Sequence, residues 1–175
     1  DTGAANFPSI YDRNGVLFVV WSEANRIYGR KCTASSGSAS YANCDDVSTE
    51  WSSIGTIDPG TANHVYSAPF VAVDSSGDQF VVFEDKDTSQ AGNPTRVRLA
   101  RVCGPGRTGQ GAATQLVDNT QLDEEIGEGP LSGVPSITID ESNGIVAVSY
   151  IRQSSAGGNE FDGVVAHKDI SALCQ

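Results

Sequence analysis

FPSIYDRNGVLFVVW (residues 7–21), APFVAVDSSGDQFVVF (68–83) and VPSITIDESNGIVAVSY (134–150) are one pattern written three times. Each copy has a proline, a short apolar stretch, an Asp, a turn ending in Gly, a second apolar stretch and an aromatic. The step from glycine to aromatic is the same throughout: Gly15 to Trp21, Gly77 to Phe83, Gly144 to Tyr150. A fixed period of this kind makes each copy one supersecondary unit that buries its faces against the next.

The apolar stretches are short, rich in β-branched and aromatic residues, and bounded by Gly, Asn, Asp and Ser, which predicts strands. They are apolar on both faces, as strands covered on both sides are. The sequences DRNG, DSSG and DESNG each end in the residue that a tight hairpin needs at positive φ. A third strand follows in each unit: IYGRKC (27–32), VRLARVC (97–103) and GVVAHK (163–168). A weaker fourth is expected near residues 50–57 and 113–117. In the third unit the chain runs out before one.

Antiparallel four-stranded units stacked face to face are the blades of a β-propeller. The pattern P-x-[IVA]-x-x-D-x-x-G-x-x-x-V-x-[WFY], followed by an I-Y-G-R type strand, resembles the repeat of sialidase-like, BNR-type propellers. That resemblance covers nearly the whole chain, although the family's strict Asp-box, Ser-x-Asp-x-Gly-x-x-Trp, is absent. The expected fold is all-β: three four-stranded blades, about 1–60, 61–125 and 126–175. The alternative is a β-sandwich, which explains strands and disulfides but not the repeat. Closed propellers have four to eight blades. Three leave two bare faces, so a second copy or another chain is expected to complete the ring.

The chain has 175 residues, with 22 Asp and Glu against 11 Lys and Arg, for a net charge of −11. Such a surface repels phosphate backbones, which argues against nucleic acid and against anionic membranes. No apolar run is long enough for a membrane-spanning helix. The absence of Met suggests a processed form or a piece of a longer protein. Four cysteines, Cys32, Cys44, Cys103 and Cys174, show no metal-ligand spacing, and their even number suggests disulfides and a secreted, periplasmic or cell-surface setting. Three pairings are open. Cys32–Cys44 with Cys103–Cys174 is favoured, the second pinning the C-terminus.

Propeller connectivity sorts the loops onto two rims. One, the turn rim, holds the turns between first and second strands. The other, the loop rim, holds the loops that lead into first strands and those that join second to third strands. The resemblance puts the ligand site on the loop rim, near the axis. His64, Tyr66, Glu23, Arg26, Glu84, Asp85 and Arg152 are the binding candidates there. A sialidase-like hydrolase would need three arginines around a carboxylate, a Tyr nucleophile paired with Glu, and an Asp acid. Arg26, Arg152 and Tyr66 fit parts of that set, and no third arginine falls on the same rim. No catalytic residue is assigned, and no cofactor is expected. Calcium is the one exception, with Asp123, Glu124, Glu125 and Asp87 as weak candidate ligands. One acidic loop seldom supplies six oxygens. Asp12, Asp74 and Asp140 read as turn caps. Arg30 and Arg101 occupy a repeated strand position and are expected to pair with an Asp of a neighbouring blade. The function these readings favour is non-catalytic recognition of a protein or glycan. A subunit of a sialidase-like glycoside hydrolase is the alternative.

Overall fold

The computed structural model describes residues 5–33, 44, 51–52, 55–58, 60, 62–91, 95–103, 119–121, 135–153 and 161–170. These form three antiparallel sheets. The first is β1 (Asn6–Arg13), β2 (Val16–Glu23), β3 (Arg26–Thr33) and β4 (Gly55–Asp58), in that order. The second is β5 (His64–Val73), β6 (Gln79–Asp87), β7 (Thr95–Val102) and β8 (Asn119–Gln121). The third is β9 (Ser136–Asp140), β10 (Ile145–Gln153) and β11 (Phe161–Asp169). Among the described residues the third sheet has three strands. The fourth strand of the second sheet lies at residues 119–121, and the expected 113–117 lies outside the described residues.

The hairpins follow from their turn residues. Arg13 pairs with Val16 across Asn14 and Gly15, which have φ of 51° and 78°. Two consecutive positive φ values make the primed turn whose twist matches the strands, and Asn-Gly is the pair that tolerates it. In the second turn the Asp74 carboxylate accepts the N–H groups of Ser76 (2.8 Å) and Asp78 (2.9 Å). In the third, Asp140 accepts from Ser142, Asn143 N–H and the Asn143 amide. Asp74 and Asp140 are therefore turn caps, as their sequence context suggested.

The sheets stack as blades. β1 and β2 lie against β5, and β5 and β6 lie against β9. First strands are thus neighbours, β1 beside β5 beside β9, as they are when blades radiate from a common axis. This is an incomplete, propeller-type arrangement. Two cores fill the gaps. Phe18, Val20 and Ile27 of the first blade meet Tyr66, Val71, Val73, Val81 and Phe83 of the second. Phe80, Val82, Val97 and Leu99 on the other face of the second blade meet Val146, Val148 and Tyr150 of the third. Phe80, Val81, Val82 and Phe83 are wholly buried in succession because β6 is covered on both sides. Each such side chain contributes roughly 1.5–3 kcal/mol. Gly29 opens the first core to the fourth strand: a Cβ there would stand 2.7 Å from Ile57 Cδ1. On the turn rim Arg13, in the first blade, forms an ion pair with Glu141 in the third.

Register fixes which positions face which neighbour. Three and five residues after the turn glycine come Phe18 and Val20, Phe80 and Val82, then Ala147 and Ser149. In the first two blades these face the next blade. In the third blade the same positions face outward, and they carry small or polar side chains.

Candidate functional site

The loop rim is shaped by a repeated irregularity. Phe7 and Ala68 each precede a proline and have φ of 52° and 48°. At both places the pairing slips, between Asn6 and Ser9 in β1 and between Ser67 and Phe70 in β5. A bulge re-aims the side chains around it. Positive φ is uncommon outside Gly and costs of order 1 kcal/mol or more. The outcome differs between blades, with Ala68 5% exposed and Phe7 60% exposed. The β2–β3 connection on this rim is a two-residue turn, Ala24–Asn25, with φ of 49° and 61°. It sets Glu23 opposite Arg26 on the outward face of the first blade.

Behind the rim lies a compact charged group. Asp85 has a fully buried side chain. One of its oxygens is 2.5 Å from His64 Nδ1, and the other accepts from Arg98 Nε. All three side chains face the first blade, since His64 and Tyr66 lie two residues apart on one face of β5 and Tyr66 pairs in register with Asp85. The Tyr66 ring stands edge-on to His64 and packs on Phe83 at 5.0 Å between centroids. A buried carboxylate held by two cationic or hydrogen-bonding partners is a structural lock, and removing either partner leaves a charge without solvent.

The sequence candidates are therefore split over three faces. His64, Tyr66 and Asp85 converge between the first and second blades. Glu84, one residue before Asp85, points the other way and accepts from the Ser67 hydroxyl at 3.0 Å. Burial raises its pKa above the ordinary 4.5, and the Ser67 bond opposes that only in part. Glu23 accepts from Trp21 Nε1 at 3.2 Å on the outward face of the first blade, with Arg26 exposed beside it. Arg152 sits on β10 opposite Asp162 in register. Tyr66, a binding candidate from the sequence, is 3% exposed and so is part of the core. Its position inside β5 explains this, because every second residue of that strand faces the first blade. The aromatics that do stand open at this rim are Phe7 and, where β11 begins, Phe161, at 60% and 49% exposure.

Sequence reading missed Arg98 as a member of the charged group. The signal was there: EDKD on a second strand and RVR on the third are brought together by any short hairpin. It also expected Arg30 to meet a neighbouring blade's Asp. Arg30 instead lies on the outward face, its guanidinium 4.6 Å above the Trp51 ring, where no blade stands among the described residues.

Among the calcium candidates, Asp87 is engaged locally. It accepts from the Ser89 hydroxyl (2.6 Å), Ser89 N–H (2.9 Å) and Gln90 Nε2 (2.7 Å). The Ser89 bonds lead in lowering its pKa below 3.8. Asp123, Glu124 and Glu125 lie outside the described residues. Among the described residues no three His, Cys, Asp or Glu side chains cluster as a metal site would require. Cys32 and Cys44 form a disulfide, as expected. Cys103 is also disulfide-bonded, and Cys174 lies outside the described residues. No helix among the described residues is long and apolar enough to cross a membrane.

No protein-family profile matches this chain, and no curated protein does. Solved structures that resemble it in backbone path include two glycan-degrading enzymes. One is a thermostable family-43 glycoside hydrolase, at 13% identity and a TM-score of 0.49 over 98% of this chain and 50% of that one. The other is an endo-arabinase from Bacteroides thetaiotaomicron VPI-5482, at 12% identity and a TM-score of 0.48 over 93% and 55%. This chain spans about half the length of either.

Proposed function

We propose that the chain is a secreted, non-catalytic propeller module that recognises a glycan or protein partner, with a sialidase-like kind of blade. The observation that carries this reading is the state of the candidate carboxylates. Asp85 is locked by His64 and Arg98, Asp87 caps its own loop, and Glu23 holds Trp21. Groups committed to structure in this way are not poised for turnover. Phe7 and Phe161, open on the loop rim, offer the flat apolar surfaces on which sugar rings or apolar side chains settle. The disulfide fits an oxidising compartment. The outward face of the third blade, exposed at Ser149 and Ile151 among the described residues, gives such a module a place to meet another copy or a different chain.

A second reading has one observation in its favour. Glu84 is a part-buried carboxyl with a raised pKa, the property a general acid needs near neutrality. A glycoside hydrolase subunit whose site is completed by another chain would use it. One experiment separates the two. The chain is screened against a glycan array and, in parallel, for release of reducing sugar from the same glycans. Binding that weakens about tenfold in Phe7→Ala or Phe161→Ala, with no sugar released, supports recognition. Release of sugar that is lost in Glu84→Gln overturns it in favour of hydrolysis.

A further inference from the structure

The third blade has an edge that the other two lack. β3 is followed outward by β4, and β7 by β8, but among the described residues no strand lies outside β11. Strand edges with unpaired N–H and C=O groups are normally blunted by shortness, proline, bulges or inward charge. β11 has none of the first three. It runs nine residues, pairs with β10 from Phe161 to Asp169 without a register shift, and contains no proline. At its centre Val165 is 72% exposed, the most exposed of the large apolar residues described. After Asp169 the chain turns inward: Ile170 is buried in the core, and its N–H bonds to Gly144 O at 2.8 Å.

The sequence of this strand, FDGVVAHKD, is complementary to itself when reversed. Centred on Val165, an antiparallel second copy sets Val165 opposite Val165, Val164 opposite Ala166, Gly163 opposite His167 and Asp162 opposite Lys168. Val164, Val165 and Ala166 meet one another at the centre and Asp162 meets Lys168 twice around the two-fold axis, while Phe161 falls opposite Asp169 at each end. Shifting the centre by one residue toward the C-terminus puts Val164 opposite Lys168 and leaves Asp162 without a basic partner. Opposed cross-strand charges favour a register, and like charges disfavour it. A two-fold contact needs this kind of self-complementarity.

We propose that β11 is an edge-pairing strand, and that two copies of the chain join antiparallel along it, centred on Val165, into a six-stranded sheet. The contact would run about 30 Å along nine residues. It uses the edge of the third blade, not its face, and it meets the loop rim only at Phe161.

The test is the mass of the full chain by light scattering, with two charge reversals. The wild type is expected at twice 18.3 kDa. Asp162→Lys places like charges together twice, and so does Lys168→Asp; each is expected to weaken self-association by about tenfold or more. Mixing the two variants restores both opposite-charge pairs, so the mixture is expected to dimerise where each alone does not. Matching thermal unfolding of both variants and the wild type shows that folding is not the cause. A wild type that stays monomeric at every accessible concentration overturns the proposal. So does a dimer indifferent to both reversals, and so do two weakened variants that fail to rescue each other.

Discussion

The outward faces of the first and third blades occupy the two ends of the same stack, yet they are finished differently. On the first blade, Leu17 and Val19 are half-buried and Trp21 is 9% exposed, although among the described residues no blade stands in front of them. Trp21 stacks on Tyr28 at 5.9 Å, Arg30 covers Trp51, and Cys32 is tied to Cys44. On the third blade, Ser149 is exposed, and Ile151 and Val165 are 43% and 72% exposed. Among the described residues, the first end is dressed with its own side chains and a disulfide, and the third blade's outward face is exposed at Ser149, Ile151 and Val165. Terminal repeats need a cap or a neighbour, and the described residues show a cap at the first end.

The sharpest way to break that comparison is to empty both faces. Trp21→Ala is expected to cost about 3–5 kcal/mol, because a nearly buried indole leaves its stacking partner and a cavity behind. Ile151→Ala should stay within about 0.5 kcal/mol, as exposed substitutions do. Urea unfolding of the two variants measures both, and equal losses would end the distinction. Next in size is the disulfide. Replacing Cys32 and Cys44 with Ser opens a 12-residue separation, and about 2–3 kcal/mol should be lost. The chain has two tryptophans, Trp21 and Trp51, and both belong to the dressed face. Acrylamide quenching should therefore rise in the double variant, and an unchanged quenching curve would show that the cap does not need the bridge.

The smallest effect concerns the middle blade, which is covered on both sides. Burial raises the Glu84 pKa, so the folded chain binds that proton more tightly than the unfolded one. Its stabilising contribution is full below about pH 4.5 and fades as pH rises through the raised value. Asp140 works in the opposite sense. Its bonds to Ser142 and Asn143 lower its pKa below 3.8 and favour the fold above that value, a contribution lost as pH falls. Stability profiles of Glu84→Gln should lack the decline toward neutral pH and keep the acid limb. A wild-type profile flat from pH 4 to 7 would mean that Glu84 is better solvated than its place suggests.

The repeat was legible because its determinants are local. The Asp–Gly turns, the fixed step to the aromatic and the basic residue in each third strand depend on neighbours along the chain, and β2, β6 and β10 fall where those residues place them. Much of the site was not legible. Tyr66 and Phe7 stand three residues and one residue ahead of a proline in their first strands, yet one is buried and the other open. What separates them is their place relative to a bulge that both strands carry, Tyr66 before it and Phe7 within it, together with the first blade's lying in front of Tyr66. Neither is written within a few residues. Asp85 and Glu84, adjacent in sequence, were grouped as one candidate site, but strand alternation sends them to opposite faces. The small residues Ala147 and Ser149 marked the bare end, but only once register showed that their equivalents, Phe18, Val20, Phe80 and Val82, face the next blade.

Arg13 and Glu141 reach past the second blade to join the first and third. In geometric terms their ion pair is a chord across an arc, and a chord sets curvature. The angle that the third blade offers to any newcomer is therefore biased before the newcomer arrives, and with it the number of blades a completed circle would hold. Both side chains are about one-third exposed, at 30% and 35%, so dissolved salt reaches the chord more readily than the cores. Ionic strength then acts on the shape of the arc while leaving each blade intact.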